Sequence, residues 1–246
     1  MEFFKKAIVV LSLISLTACS SIGQNASNST NPEVQEDIYL KSKNYTGLIN
    51  MYRSFLKNKE DAKVRFKLAS YYYQDGDYKS SLYYLQPLMQ QPDLNIYALQ
   101  AKNMISLGDY PQALRTTERM LTKDNQYAEA YNLKGITLAM MGKYADATAA
   151  FQKSRDLFIE DDVALNNMAM VYLLDQRYQD AVGVLLPQYL RGRKQDRMLR
   201  NLVIGLVKVG DMRYAQQIVK AENMSEYPDE LVDSLSRLGP IKNEVK

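Results

Sequence analysis

The apolar and polar positions of this chain repeat. Six short turn signals interrupt the apolar runs: Lys43-Asn44-Tyr45, Gly76-Asp77-Tyr78, Gly108-Asp109-Tyr110, Gly142-Lys143-Tyr144, Gln176-Arg177-Tyr178 and Gly210-Asp211-Met212. Their first residues lie 33, 32, 34, 34 and 34 positions apart. Three residues after each aromatic or Met stands a small or apolar residue: Leu48, Ser81, Ala113, Ala147, Ala181 and Ala215. Seven before each turn but the first stands another: Ala69, Ala101, Gly135, Ala169 and Val203. The pattern predicts a structural unit of about 34 residues, reiterated over 33–240, that must share a core with its neighbours because it cannot bury its apolar face alone. Pro228 to Leu238 reads as a short amphipathic helix with Pro at its start, placed to cover the last apolar face. Glu33 to Lys41 lacks the small-residue mark and is expected to cap the other end, and 241–246 to fray.

A period near 34 with these marks resembles the tetratricopeptide-repeat (TPR) family. The resemblance implies an all-α fold, a TPR superhelical solenoid of five full repeats with a partial N-terminal helix pair and a C-terminal capping helix. Small residues stand where the two helices of a repeat cross, because larger ones would overpack the crossing. Glycine at the turn can take positive φ and close the first helix. Pro111 falls at the start of a second helix, where a missing N–H costs nothing. Pro87 and Pro187 occupy one repeat position late in the second helix, where proline is expected to kink or end it.

The first residues form a different kind of pattern. Lys5 and Lys6 precede an apolar run of ten residues, Ala7 to Leu16. This length suits a secretory signal and falls short of the roughly 20 residues a spanning helix needs. Leu16-Thr17-Ala18-Cys19 follows, and it resembles a bacterial lipobox, which implies acylation of Cys19 and removal of 1–18. Ser20 after the cysteine favours, by the same likeness, sorting to the outer membrane, with the chain facing the periplasm. Residues 19–32 are read as a lipidated, flexible tether. Ser20 to Pro32 is small, polar and uncharged, and thirteen residues extend at most roughly 45 Å.

Composition narrows the chemistry. The 246 residues carry a formal net charge of +3, no histidine, no tryptophan and one cysteine. Without histidine, Ser-His, Cys-His and His-metal sites are impossible. No carboxylate pair or phosphate loop stands out, so neither an enzyme nor a cofactor is expected, and the charge gives no reason to expect nucleic acid. The lone Cys19 cannot form an internal disulfide.

A protein partner remains. The family register places Asn132, Ile136 and Met140 on the concave surface of the fourth unit. It places Asn166, Met170 and Leu174 there in the fifth, and Arg200, Ile204 and Lys208 in the sixth, with Asn167 and Asn201 one residue further along. Asparagine offers two donors and an acceptor suited to a peptide backbone, over an apolar floor to which methionine adapts. The same asparagines could instead bond helix to helix. The Lys and Asn ring of a carboxylate clamp cannot be assembled. Arg191 to Arg200 holds five basic residues and one acid, either a solvated loop or a surface for an acidic partner or lipid headgroups. Tyr71, Tyr72, Tyr73, Tyr83 and Tyr84 crowd the second unit; Tyr72 is expected in the core and Tyr73 or Tyr83 toward a partner. The stretches Leu165 to Ala169 and Arg200 to Gly210, with the intervening Pro187, are similar to the TadD-type lipoproteins of the tight-adherence (Flp pilus) system. That likeness implies a periplasm-facing factor for secretin insertion or oligomerisation. The other reading is a TPR lipoprotein adaptor for a different envelope complex: a type IV pilotin, β-barrel assembly, or regulation of cell-wall hydrolases.

Overall fold

The computed structural model describes residues 31–90 and 92–239. The signal segment, Cys19 and nearly all of the expected tether lie outside the described residues. The chain divides into two compact units, 1–44 and 45–246.

The described part of the first unit is one helix, α1 (Pro32–Lys41), which therefore starts at the last residue assigned to the tether. Asn31 caps it by accepting from the Glu33 N–H, and Pro32 stands in its first turn. Asp37 and Lys41 pair one turn apart at 2.6 Å. None of its side chains is buried.

In the second unit every regular element among the described residues is helical. Helix α2 (Tyr45–Asn58) leads into five helix pairs: α3 (Ala62–Gln74) with α4 (Tyr78–Leu85), α5 (Leu94–Ser106) with α6 (Tyr110–Lys123), α7 (Ala128–Met140) with α8 (Tyr144–Asp156), α9 (Asp161–Leu174) with α10 (Tyr178–Leu190), and α11 (Asp196–Val209) with α12 (Met212–Ala221). Helix α13 (Pro228–Arg237) follows. Each helix packs on the next, and the first helices of successive pairs also touch: α3 with α5, α5 with α7, α7 with α9, α9 with α11. Helix α13 packs on both α11 and α12, the place a further first helix would take. No described helix is long and apolar enough to cross a membrane.

The turns within the pairs show why this sequence folds this way. Gly76, Gly108, Gly142 and Gly210 all have positive φ, between 74° and 91°. That conformation suits glycine, which has no Cβ to clash. The following Asp77, Asp109 and Asp211 cap α4, α6 and α12 by accepting from the N–H of Ser80, Gln112 and Tyr214. Gln176 takes the same left-handed turn without glycine's freedom, at φ 59°. The crossing residues are buried without exception: Leu48, Ser81, Ala113, Ala147, Ala181 and Ala215 on the second helices, Ala69, Ala101, Gly135, Ala169 and Val203 on the first. A Cβ on Gly135 would lie 2.6 Å from the Phe151 ring, so the α7–α8 crossing admits nothing larger than glycine.

The two prolines differ. α4 stops at Leu85 and the chain continues as a 3-10 helix over Gln86–Gln90, so Pro87 ends its helix as expected. α10 instead runs through Pro187 to Leu190. The carbonyl one turn back belongs to Gly183, whose side has open space, and an exposed helix surface lets water take up the freed carbonyl.

Among the described clusters, the largest lies toward the C-terminal end. A large buried cluster runs from Leu138 to Val232 and includes Phe151, Leu173, Leu185 and Leu202. A second gathers Ala98, Ala101, Met120, Ala130 and Leu133, and meets the first at Ile136. A third holds Ala69, Leu85 and Leu99. Ser81, Asn103, Thr116 and Thr117 are buried as well. Asn103 donates to Ser81 Oγ at 2.8 Å, a polar tie between α5 and α4.

Candidate inner face for a protein partner

The first helices α5, α7, α9 and α11 lie side by side, so the residues they expose form one surface. Its polar groups bond mostly to each other. Asn167 Nδ2 donates to Asn132 Oδ1 at 2.8 Å, and Asn201 Nδ2 to Asn166 Oδ1 at 2.9 Å. Each bond spans 35 residues, one repeat plus one, and joins neighbouring first helices. Asn132 Nδ2 donates in turn to Glu129 at 3.1 Å, and Glu129 pairs with Lys102 of α5 at 2.8 Å. A polar ladder therefore runs from α5 through α7 to α9, and a second rung ties α9 to α11. Asn132, Asn166 and Asn201 are buried, Asn167 half-buried. The expectation that these amides face a peptide backbone is thus redirected. Their hydrogen-bonding capacity faces the adjacent repeat, because the 35-residue spacing puts the amides of consecutive helices in register.

The apolar positions are more available. Met170 is exposed, and Ile136, Met140, Leu174 and Ile204 are half-buried. Arg197 and Arg200 on α11 are exposed beside them. Lys208, also expected on this face, is occupied: its ammonium donates to the carbonyls of Leu235 and Leu238, closing the C-terminal end of α13. What the surface offers a ligand is an apolar strip that includes Ile136, Met170 and Leu174, with arginines at the α11 end.

The basic stretch after α10 is partly neutralised. Arg193 and Gln195 both bond Asp162, and Lys194 pairs with Glu222 at 2.8 Å. Glu222 also accepts from the Tyr189 hydroxyl at 2.9 Å. Burial, then that carboxylate, pushes the Tyr189 phenol up to about 12. Lys194 and Tyr189 together hold the Glu222 carboxyl below its ordinary value. Arg191, Arg197 and Arg200 remain exposed. Sequence reasoning did not find Glu129, Lys102, Tyr189 or Glu222; the offset of 33 residues between Tyr189 and Glu222 is close to one repeat and is the signal that carries that pair, whereas Lys102 and Glu129 have no such mark.

The tyrosine cluster corrects another expectation. Tyr71 is the buried ring, 5.2 Å from Tyr52, whereas Tyr72 is half-buried and stacks on Tyr84 at 5.3 Å. Tyr71 faces Tyr52 of α2, and Tyr72, about 100° further around α3, faces Tyr84 of α4. Tyr83 is exposed and packs edge-on against Tyr84; Tyr73 is half-buried beside Tyr78.

Comparison with known proteins agrees with the geometry. No curated protein sequence matches the chain. A solved thermophilic TPR protein from Thermus thermophilus is similar in fold, with TM-score 0.62 and 17% identity over 72% of this chain and 98% of that one. A TPR protein from Parabacteroides merdae ATCC 43184 gives TM-score 0.60 and 12% identity over 83% of this chain and 95% of that one. The APC/C hetero-tetramer Cut9-Hcn1 gives 0.57 and 13% identity over 77% of this chain, though only 36% of the chain it matches. These likenesses speak to fold. Residues 101–224, just over half of the chain, match the family described as Psidin, N-terminal TPR repeats region. The helix pairs, their left-handed turns and this match together place the chain in the tetratricopeptide-repeat family.

Proposed function

We propose that this chain is a non-enzymatic scaffold that holds a segment of a protein partner on its inner face, anchored to the outer membrane through Cys19. The carrying observation is the surface formed by α7, α9 and α11. Its polar groups are bonded between repeats, and Met170, Leu174 and Ile204 are left to meet an apolar partner surface, with Arg197 and Arg200 at one end. The lipobox-like Leu16 to Cys19 supports the anchor. The likeness to TadD-type lipoproteins supports a secretin segment as the partner and assembly of a tight-adherence pilus as the setting. The scaffold then acts by concentration: a tethered array and its ligand meet far more often than two free molecules.

The test has two parts. Deletion of the gene should reduce secretin multimers and surface pili; normal levels of both would remove the pilus assignment. Met170→Glu with Leu174→Glu places charge on exposed and half-buried positions outside the ladder, so the fold should persist. Loss of secretin capture by this variant is expected, and undiminished capture would remove the inner face as the binding surface.

A further inference from the structure

The charged side chains of the inner face are unevenly signed. On α7 the face takes positions 129, 132, 136 and 140, spaced by about one turn. The matching positions of α3, α5, α9 and α11 complete it. Five of these positions hold a cation: Lys63, Lys102, Arg197, Arg200 and Lys208. One holds an acid, Glu129. Lys102 and Glu129 neutralise each other at 2.8 Å, and the Lys208 ammonium is held by the last carbonyls of α13. Lys63 stands at the other end of the array, two residues after the Asp61 cap of α3.

Arg197 and Arg200 are different. Both are exposed, and among the described residues neither makes a hydrogen bond or an ion pair through its side chain. They stand three apart on α11, so the two guanidiniums share one face and repel. Acids lie at the helix starts nearby. Asp161 is held by Arg155, and Asp162 by Arg193 and Gln195. Glu160, Asp196, Asp229 and Glu230 are exposed and bond neither arginine. All of these acids sit in the first turn of α9, α11 or α13, or just before it, whereas Arg200 lies one turn further along α11.

Beside the two arginines the face is apolar. In register, Val163 of α9 stands level with Arg197, and Met170 with Ile204. Val163 and Met170 are exposed, and Leu174 and Ile204 are half-buried. A ligand seated here meets apolar side chains together with two planar forks of N–H donors that carry no acceptor. Carboxylates match such forks two bonds at a time. An amphipathic segment repeats apolar and acidic side chains at the same interval of three to four residues that separates Arg197, Arg200 and Ile204. We propose, building on the inner-face reading, that the partner segment is acidic and amphipathic. Its apolar side chains cover Val163, Met170, Leu174 and Ile204, and its Asp or Glu side chains meet Arg200 and Arg197.

The test uses the full chain and two synthetic peptides of equal length. Both carry leucine at the same helical spacing; one has Glu on its polar face and the other Lys. Fluorescence anisotropy reads the two affinities. The Glu peptide should bind at least about tenfold more tightly, with an advantage that shrinks as salt rises. Arg197→Glu with Arg200→Glu should reverse the preference, and Arg197→Gln with Arg200→Gln should abolish it. Both side chains are exposed and unbonded among the described residues, so neither variant should move the thermal midpoint. Equal affinity for the two peptides, binding of neither, or a preference for Glu that survives the charge reversal overturns the acidic partner. Those outcomes leave the inner face standing where Met170→Glu with Leu174→Glu still abolishes secretin capture. Undiminished capture by that variant removes the face, and the acidic partner with it. Arginine-dependent binding of phosphatidylglycerol vesicles, without a preference between the peptides, assigns the two cations to lipid and overturns the proposal.

Discussion

Asn201 donates from its side-chain amide to the amide oxygen of Asn166, 2.9 Å away on the neighbouring first helix. Both residues are buried. Asn201→Ala leaves the Asn166 oxygen without that donor, and a buried acceptor stripped of its partner costs about 1–3 kcal/mol. Asn166→Ala should cost a similar amount, and the double variant less than the sum. A double-mutant cycle in urea reads the coupling directly; strict additivity would show that the rung contributes nothing.

Gly135 on α7 and Gly205 on α11 each lie against a neighbouring second helix but have different surroundings. An added Cβ at 135 meets the Phe151 ring at 2.6 Å, and at 205 the Val182 methyl at 3.0 Å. Gly135→Ala is expected to destabilise by about 1–3 kcal/mol, as overpacking does. Gly205→Ala should cost less, because a valine methyl yields more easily than a ring. Chemical denaturation of the two variants, side by side, gives the comparison.

Two turns are suboptimal and can be improved. Gln176 sits at φ 59° where other repeats have glycine, and a left-handed non-glycine residue costs roughly 1–2 kcal/mol. Gln176→Gly should recover up to about 1 kcal/mol of this, the remainder being offset by glycine's entropy when unfolded. Lys143 precedes α8 without a side-chain cap; Lys143→Asp should restore the arrangement of Asp77 and Asp109 and add about 1 kcal/mol. An unchanged or lower thermal midpoint in either variant would contradict the turn analysis.

Tyr189 supplies a pH test. Its phenol is pushed from 10.0 to about 12 by burial and the Glu222 carboxylate. A raised value in the folded state means that the contribution is whole below pH 10 and fades as pH climbs toward about 12. At the acid end the sign reverses for Glu222. Its carboxyl is lowered from 4.5 by Lys194 and Tyr189, so its contribution is present above pH 4.5 and fades as pH falls below it. Tyr189→Phe should lower the midpoint at neutral pH and flatten the alkaline limb between pH 10 and 12. An alkaline limb as steep as the parent's would assign that loss to other tyrosines.

The repeat was legible because its marks are steric. Glycine at 76, 108, 142 and 210 and a small residue at most crossings have few substitutes, so they survive as visible spacing. Which way a polar side chain faces is not steric in that sense. Asn132 and Asn166 could have looked outward or sideways, and only the offset of 35 rather than 34 separates the two. The Tyr71 and Tyr72 assignment failed for a similar reason: adjacent residues of one type differ by 100° around the helix, and the aromatic run masks which of them faces the core. Pro87 and Pro187 share a repeat position but end differently, because the outcome rests on the residue four back, Tyr83 in one and Gly183 in the other. Phe158, at φ 66° after α8, was hidden because nothing in its immediate sequence announces a left-handed residue; alignment with Gly192, one period later, does.

Helix α13, held by Lys208 at its final carbonyls, has a consequence for how the array measures. It takes the seat where another first helix would dock, so this end of the stack is stoppered. A further repeat could lengthen the inner face in that direction only by displacing α13. The chain then behaves as a gauge at this end: the reach of its strip past Ile204 is set by its own covalent length, and a partner segment that overruns it finds a wall in place of another rung.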